Sequence, residues 1–261
     1  PEITPYPYTR FPKFQKMIFF PYRDDNPTHS FPLVNWGIIL ANIWVFFAYQ
    51  LPLGPGEQES YFANFGFIPA AFFGQFSQQD IGIMAWEWGS VVTSMFSHGG
   101  LLHLLGNMLF LYLYGDNLED ALGKMRYFLF YLLCGFFAAI AQSLINPLSE
   151  IPMVGASGAI SGVIAGYLLL YPRANIRVFY WFFLFIGTLY LPAYLVLGLW
   201  VFEQMIALPE SMKQAGGVAI AAHLGGFGAG LLLTPFLRKP GVRLFQDGRS
   251  CSFTRQSRRL R

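Results

Sequence analysis

The chain has 261 residues with 17 basic and 14 acidic side chains, so 12% are charged against 54% hydrophobic, and it carries 28 Phe, 14 Tyr and 6 Trp. A soluble domain is about 25% charged; this chain has too little polar surface to coat a water-soluble body of its size, which excludes disorder, collagen-like repeats and an ordinary soluble enzyme. The net charge of +3 is dispersed and leaves no nucleic-acid footprint, and two cysteines, Cys134 and Cys251, supply neither a disulfide framework nor a zinc site.

What remains is a polytopic membrane protein. A helix crossing ~30 Å of hydrocarbon needs about 20 apolar residues. Six stretches without Asp, Glu, Lys or Arg approach or exceed that length. They run from Leu33 to Leu51, Gly99 to Gly115, Tyr127 to Leu148, Ile151 to Pro172, Val178 to Phe202 and Gln214 to Leu237. Residues 1–32 read as an N-terminal segment in which Met17 to Tyr22 is too short for the apolar region of a signal peptide. Residues 33–237 read as the membrane domain, and 238–261 as a basic, mobile tail able to touch anionic lipid. Within the membrane domain, residues 52–98 lack Lys and Arg but are rich in aromatics, as expected of a structured loop half-sunk in the interface.

Lys and Arg accumulate on the cytoplasmic side of membrane proteins. Here sixteen of the seventeen basic residues fall before the first stretch, in the second-to-third and fourth-to-fifth connections, or after the sixth; only Lys213 lies on the other side. The expectation is a six-helix, all-α bundle with both termini cytoplasmic.

Ionisable and strongly polar groups inside a bilayer are costly, so each is a candidate functional residue. His98 and His103 flank the start of the second stretch, Asn107 follows His103 by four residues on the same helical face, Ser157 opens the fourth and His223 lies in the sixth. Counting at 1.5 Å per residue from the charges that close their helices puts Ser157, His223 and His103 at heights of about 24, 22 and 24 Å. Three groups on three helices thus share one level. Gly158, Gly162 and Gly166 in the fourth stretch, with Ala222, Gly226 and Gly230 in the sixth, form small-residue repeats that let two backbones approach closely in lipid. If those helices touch, Ser157 and His223 come within hydrogen-bond reach.

A serine becomes a nucleophile when an imidazole removes its proton, and the tetrahedral intermediate then needs donors for its oxyanion. Ser157 would attack and His223 would act as general base and then general acid. The Ser157 backbone N–H, unpaired at a helix start, and the side chains of His103 and Asn107 would stabilise the oxyanion. No stretch contains Asp or Glu, so the residues allow a dyad rather than a triad.

The set Phe96-Ser97-His98, His103-Leu-Leu-Gly-Asn107, Gly115-Asp116-Asn117-Leu118-Glu119, Gly155-Ala156-Ser157-Gly158 and Ala222-His223-Leu-Gly-Gly226 through Gly230 resembles that of the rhomboid intramembrane serine proteases of the six-span prokaryotic type. The resemblance covers about Pro21 to Leu237. It implies hydrolysis of a peptide bond in or beside the transmembrane segment of another protein, in a multi-pass protein of the bacterial inner membrane, without metal or organic cofactor or nucleic acid. It also implies supporting roles for His98, Gly155 and Gly158, and a lateral gate in the region of the fifth stretch. Two departures stand out: Trp88 is followed by Gly89 where the family often has Trp-Arg, and Ser161 occupies a position where many members pack an aromatic on the catalytic imidazole. The alternative is a non-catalytic rhomboid-like adaptor that binds transmembrane helices; such proteins usually lack the serine or the histidine. A channel is disfavoured because the polar groups cluster at one level.

Overall fold

A computed structural model describes residues 18–72, 81–212 and 218–246. Most of the N-terminal segment, Lys213 and residues 247–261 of the basic tail, Cys251 among them, lie outside the described residues, and so does the expectation that this tail is mobile. Strand β1 (Ile18–Asp24) precedes helix α1 (Leu33–Val45), which continues through a π-helical turn to Gln50. The aromatic loop folds into helices α2 (Pro55–Phe65), α3 (Pro69–Phe72) and α4 (Ile81–Ser94). Helix α5 (Leu101–Phe110) runs through a second π-helical turn, Leu111–Gly115, into α6 (Asp116–Leu122). Helices α7 (Lys124–Ile145) and α8 (Ser157–Leu170) are followed by strands β2 (Asn175–Phe182) and β3 (Phe185–Pro192) and helices α9 (Ala193–Ser211) and α10 (Ile220–Leu237).

Among the described residues, four helices are long and apolar enough to cross a membrane: Leu33–Gln50, Lys124–Ile145, Ala193–Ser211 and Ile220–Leu237. The second expected stretch is covered by the continuous run of α5, the π-turn and α6. Large apolar side chains such as Leu40, Trp44, Leu102 and Phe236 stand exposed, as they do on a lipid-facing bundle.

Two expectations are corrected. The fold is not all-α: β1, β2 and β3 form an antiparallel sheet in that order, with a bulge between Pro21 and Arg23. The fifth stretch is not one helix from Val178. Its first part is the β2–β3 hairpin, and the helix begins only at Ala193, after Pro192 in extended backbone at its N-cap. The absence of charge cannot distinguish a span from a strand, and Ile176, Val178, Phe179, Tyr180 and Trp181 are β-branched or aromatic residues that favour a pleated surface. Ile176 and Val178, two residues apart, are buried against the bundle, the period-two signature of a strand. The fourth helix starts at Ser157, as expected, and the first six residues of its uncharged stretch are not helical, because Met153 exchanges two backbone hydrogen bonds with Phe67 (2.8 and 2.9 Å) and holds the preceding chain extended.

Close packing of α7, α8 and α10 follows from the small residues. A Cβ at Gly158 would meet Ala138, one at Gly162 would meet Cys134, and those at Gly226 and Gly230 would fall on the carbonyls of Gly158 and Gly162. Both repeats therefore lie at the α8–α10 contact. At the end of the bundle where α8 finishes, the first turn of α1 has no local cap. Its orphan donors are satisfied from α6 instead, the backbone N–H groups of Val34 and Asn35 donating to the Glu119 carboxylate at 3.2 and 2.7 Å. Asn35 also donates to the Leu111 carbonyl in the π-turn (3.0 Å) and accepts from the Tyr127 hydroxyl (2.8 Å), joining three helices. In the loop, Trp88 stacks on Phe136 of α7 with ring centroids 5.9 Å apart and planes 16° apart.

Candidate active site

Gly155 precedes α8 with φ +125°, a conformation that side chains resist. A Cβ there would also lie 2.7 Å from Cε1 and 2.8 Å from Nε2 of His103. Glycine is needed twice over, for the turn and for the approach of the imidazole. The Gly155 N–H donates to the Ser94 carbonyl (2.8 Å), which fixes the turn to the end of α4. Ser157 then occupies the first position of α8, where its N–H has no helical acceptor and lies at the positive end of the helix dipole. Gly158 follows it and lets α7 and α10 close in.

His223 stands in the first turn of α10, buried, with Nε2 2.8 Å from Ser157 Oγ. Its other ring nitrogen, Nδ1, is 2.8 Å from Gln204 Oε1 on α9. The Trp200 ring packs on the imidazole at 5.9 Å between centroids with 36° between planes. The aromatic absent at Ser161 is thus supplied from α9, while the Ser161 hydroxyl donates to the Ser157 carbonyl at 2.7 Å.

A cavity of about 550 Å³ contains Ser157, His223, His103, Asn107, Gly155 and Gly158 in its lining. The Asn107 side chain is buried, and its Nδ2 has no hydrogen-bond partner among the described residues. An amide donor buried without an acceptor is costly. A long hydrogen bond from the Gly99 N–H to His103 Nδ1 (3.4 Å) makes Nδ1 the acceptor, which in the neutral ring leaves the proton on Nε2, the ring nitrogen on the Gly155 side.

His98 lies outside the Ser157–His223 contact. It is buried, its ring meets His103 edge to face at 5.1 Å, and its backbone N–H and carbonyl both pair with the side chain of Gln50 at 3.1 and 3.0 Å. This reciprocal pair pins the loop to the end of α1. No group of three or more His, Cys, Asp or Glu side chains is placed to hold a metal ion among the described residues.

The structure thus brings Ser157, His223, His103, Asn107, Gly155 and Gly158 to one cavity and sets His98 behind His103. The sequence reading missed Gln204, Trp200 and Gln50. Two signals mark them in retrospect: an amide inside an uncharged stretch, and the recurrence of Ala193, Leu197, Trp200 and Gln204 at helical spacing.

The family model described as "Rhomboid domain" matches residues 85–240, more than half of the chain. The chain belongs to the rhomboid family. It is similar to RHOMBOID-like protein 2 of Arabidopsis thaliana, 32% identical over 166 residues covering 56% of the chain and 52% of that protein. RHOMBOID-like protein 4 of the same plant is 38% identical over 136 residues, 52% of the chain and 30% of its own length. The rhomboid protease GluP of Bacillus subtilis (strain 168) is 30% identical over 148 residues, 57% of the chain and 26% of GluP. The chain spans about half or less of the length of these relatives. The matched region of this rhomboid begins within α4 and holds Ser157, His223, His103, Asn107, Gln204 and Trp200.

Proposed function

We propose that this rhomboid is an intramembrane serine endopeptidase that hydrolyses a peptide bond in or next to a transmembrane segment of another membrane protein. The observation that carries the reading is the 2.8 Å contact between His223 Nε2 and Ser157 Oγ, made by two side chains from different helices inside one cavity. In the reaction, Nε2 takes the Ser157 proton as Oγ attacks the scissile carbonyl carbon. His223 then returns that proton to the leaving amine, and a water deprotonated by the same nitrogen releases the acyl group from Ser157. The developing oxyanion faces the Ser157 N–H, the Asn107 amide and the His103 Nε2–H. The unpaired Asn107 Nδ2 supports that assignment, since the tetrahedral oxygen supplies the acceptor this donor otherwise lacks.

Residues 33–237 form the membrane domain in this reading, crossing six times, with the short α8 and the α5–α6 run completing the four long helices. The sixteen-to-one division of basic residues supports cytoplasmic termini and a dyad in the outer part of a bacterial inner membrane. The lipid bilayer and a transmembrane protein substrate are the partners, and the chemistry calls on no cofactor. The test is labelling of the purified protein in detergent by a fluorophosphonate. Labelling at Ser157 that is lost in Ser157→Ala supports the protease; wild-type protein that does not react, or a Ser157→Ala protein that reacts equally, overturns it in favour of an adaptor.

A further inference from the structure

Helix α9 is the least embedded of the long apolar helices: Ala193, Leu197 and Gln204 are its buried residues, while Tyr194, Leu195, Leu199, Phe202, Met205 and Ile206 stand exposed. With Trp200, the three buried residues recur at spacings of four, three and four, so they line one face of the helix. Three of the four are apolar or aromatic, as expected for a face turned to the protein interior. The fourth is a primary amide with 8% of its surface exposed. An amide so placed in an apolar environment is costly unless it is hydrogen-bonded. Its recorded partner is His223 Nδ1, at 2.8 Å.

We propose that Gln204 is a positioning residue for His223, so that the reacting constellation draws on three helices: α8 for the nucleophile, α10 for the base and α9 for the group that orients the base. The inference rests on the protease reading above. A carbonyl oxygen only accepts, so with Gln204 Oε1 turned to the ring the Nδ1 atom must carry the proton. The neutral imidazole then has a bare Nε2, the nitrogen that faces Ser157, and Nε2 accepts the serine hydroxyl rather than donating to it. The opposite tautomer would present N–H to Ser157 and could not act as its base. Trp200, one turn away on the same face, holds the ring from its flat side. Position and tautomer of His223 are thereby both set from α9. A glutamine performs the orienting part of the role that an acid has in a Ser-His-Asp triad. It does not supply the charge, so the imidazolium formed during attack has no carboxylate on Nδ1. His103 of α5 is the titratable neighbour on the cavity side, and the backbone beside His223 is tied to α7 by a bond from the Ala222 N–H to Gln142 Oε1 (3.3 Å).

The same contact links the base to the docking of α9. Few buried positions hold this helix, and a displacement at Gln204 by the length of one hydrogen bond frees Nδ1 and removes the tautomer preference.

The experiment measures the rate constant of fluorophosphonate labelling at Ser157 across pH, together with thermal stability, for the full chain in detergent with wild type, Gln204→Leu, Gln204→Glu and Glu203→Gln. Leucine keeps the size but removes both polar atoms, and should slow labelling on the order of 10- to 100-fold by leaving Nδ1–H unpaired. Glutamate keeps an acceptor and adds the missing charge, so it should restore labelling and displace the pH profile to higher pH, because a carboxylate beside the ring favours imidazolium. The exposed neighbour Glu203→Gln should behave as wild type. A Gln204→Leu protein with the wild-type rate constant and profile overturns the proposal. So does a Gln204→Glu protein that labels as slowly as the leucine variant with an unshifted profile, the result of a merely structural contact. If leucine prevents folding, the glutamate profile alone decides. Failure of the protease reading is a separate result, because there wild type itself would not label at Ser157.

Discussion

The two ends of the bundle differ in the polar groups they bring together. Where α8 finishes, carboxylates are paired: Asp24 accepts from the Tyr167 hydroxyl at 2.7 Å and from Asn117 Nδ2 at 3.1 Å, Glu119 caps α1, and Arg177 meets Asp25 at 2.6 Å, while the Tyr114 hydroxyl and the Asn26 amide are buried there without partners among the described residues. Where α8 begins, Ser157 meets His223 and the Asn107 amide nitrogen is buried without a partner among the described residues. A buried donor without an acceptor destabilises a fold, and one placed where charge develops during a reaction stabilises the transition state. On the proposed function, the end where α8 finishes serves to hold the fold together and the end where it begins serves the reaction. Substitutions at the reactive end should therefore change rate at nearly constant stability, and those at the paired end the reverse.

The largest effect should come from Ser157→Ala or His223→Ala. Each is expected to abolish cleavage of a transmembrane substrate while the protein keeps its thermal transition, with the double variant no worse than either single one, because residues acting as a unit are non-additive. Substrate cleavage in proteoliposomes together with a melting curve checks this; full activity in Ser157→Ala would break the contrast outright.

Next comes Asn107→Ala, which removes one oxyanion donor and leaves His103 and the Ser157 N–H. Loss of such a donor lowers kcat by about 10²–10³. Measurable turnover with little change in KM is the expected outcome, and an unaltered kcat would return Asn107 to a purely structural place.

At the paired end, Glu119→Ala should leave the Val34 and Asn35 N–H groups without their acceptor. Unsatisfied buried donors cost about 1–3 kcal/mol. A lowered melting temperature with an unchanged labelling rate constant per folded molecule is expected, and a fall in that rate constant would show that the two ends are coupled.

The smallest effect concerns pH. Burial, reinforced by the nearby Asp116 carboxylate, raises the Asp24 carboxyl to about 7 against the opposing bond from Tyr167. The folded protein therefore keeps a proton that the unfolded chain releases near its ordinary value of 3.8. Between these values the native state binds more protons than the unfolded one, so this group's contribution to stability falls as pH rises from about 4 to about 7 and is level above that. Melting curves of wild type and Asp24→Asn across this range should differ in slope, the asparagine protein lacking the decline. Parallel curves would remove Asp24 from the account.

The site was more legible than the scaffold beneath it. Ser157 and His223 could be matched because the Gly158-Gly162-Gly166 and Ala222-Gly226-Gly230 repeats demand close backbones, and a rise of 1.5 Å per residue converts sequence distance from the closing charges into depth. The β2–β3 hairpin could not be recognised by the same arithmetic. Lack of charge over Val178 to Phe202 says only that the segment avoids water, and an aromatic strand meets that condition as well as a helix does. Hydropathy likewise does not register the backbone pairing of Met153 with Phe67 that keeps the residues before α8 extended. Gln204 lies beyond the uncharged stretch, which ends at Phe202 before Glu203, and nothing in the local sequence shows that its amide meets His223.

By itself, then, the sequence determined the membrane class and which helices must touch, since the first depends on composition and the second on the spacing of small residues along a single helix. Tertiary structure alone decided that a sheet covers one end of the bundle, that Glu119 caps a helix 84 residues before it, and that Trp200 and Gln204 of α9 frame His223. Those contacts join side chains from elements distant in the chain, and no local period along the sequence encodes which distant partner a buried polar group will meet.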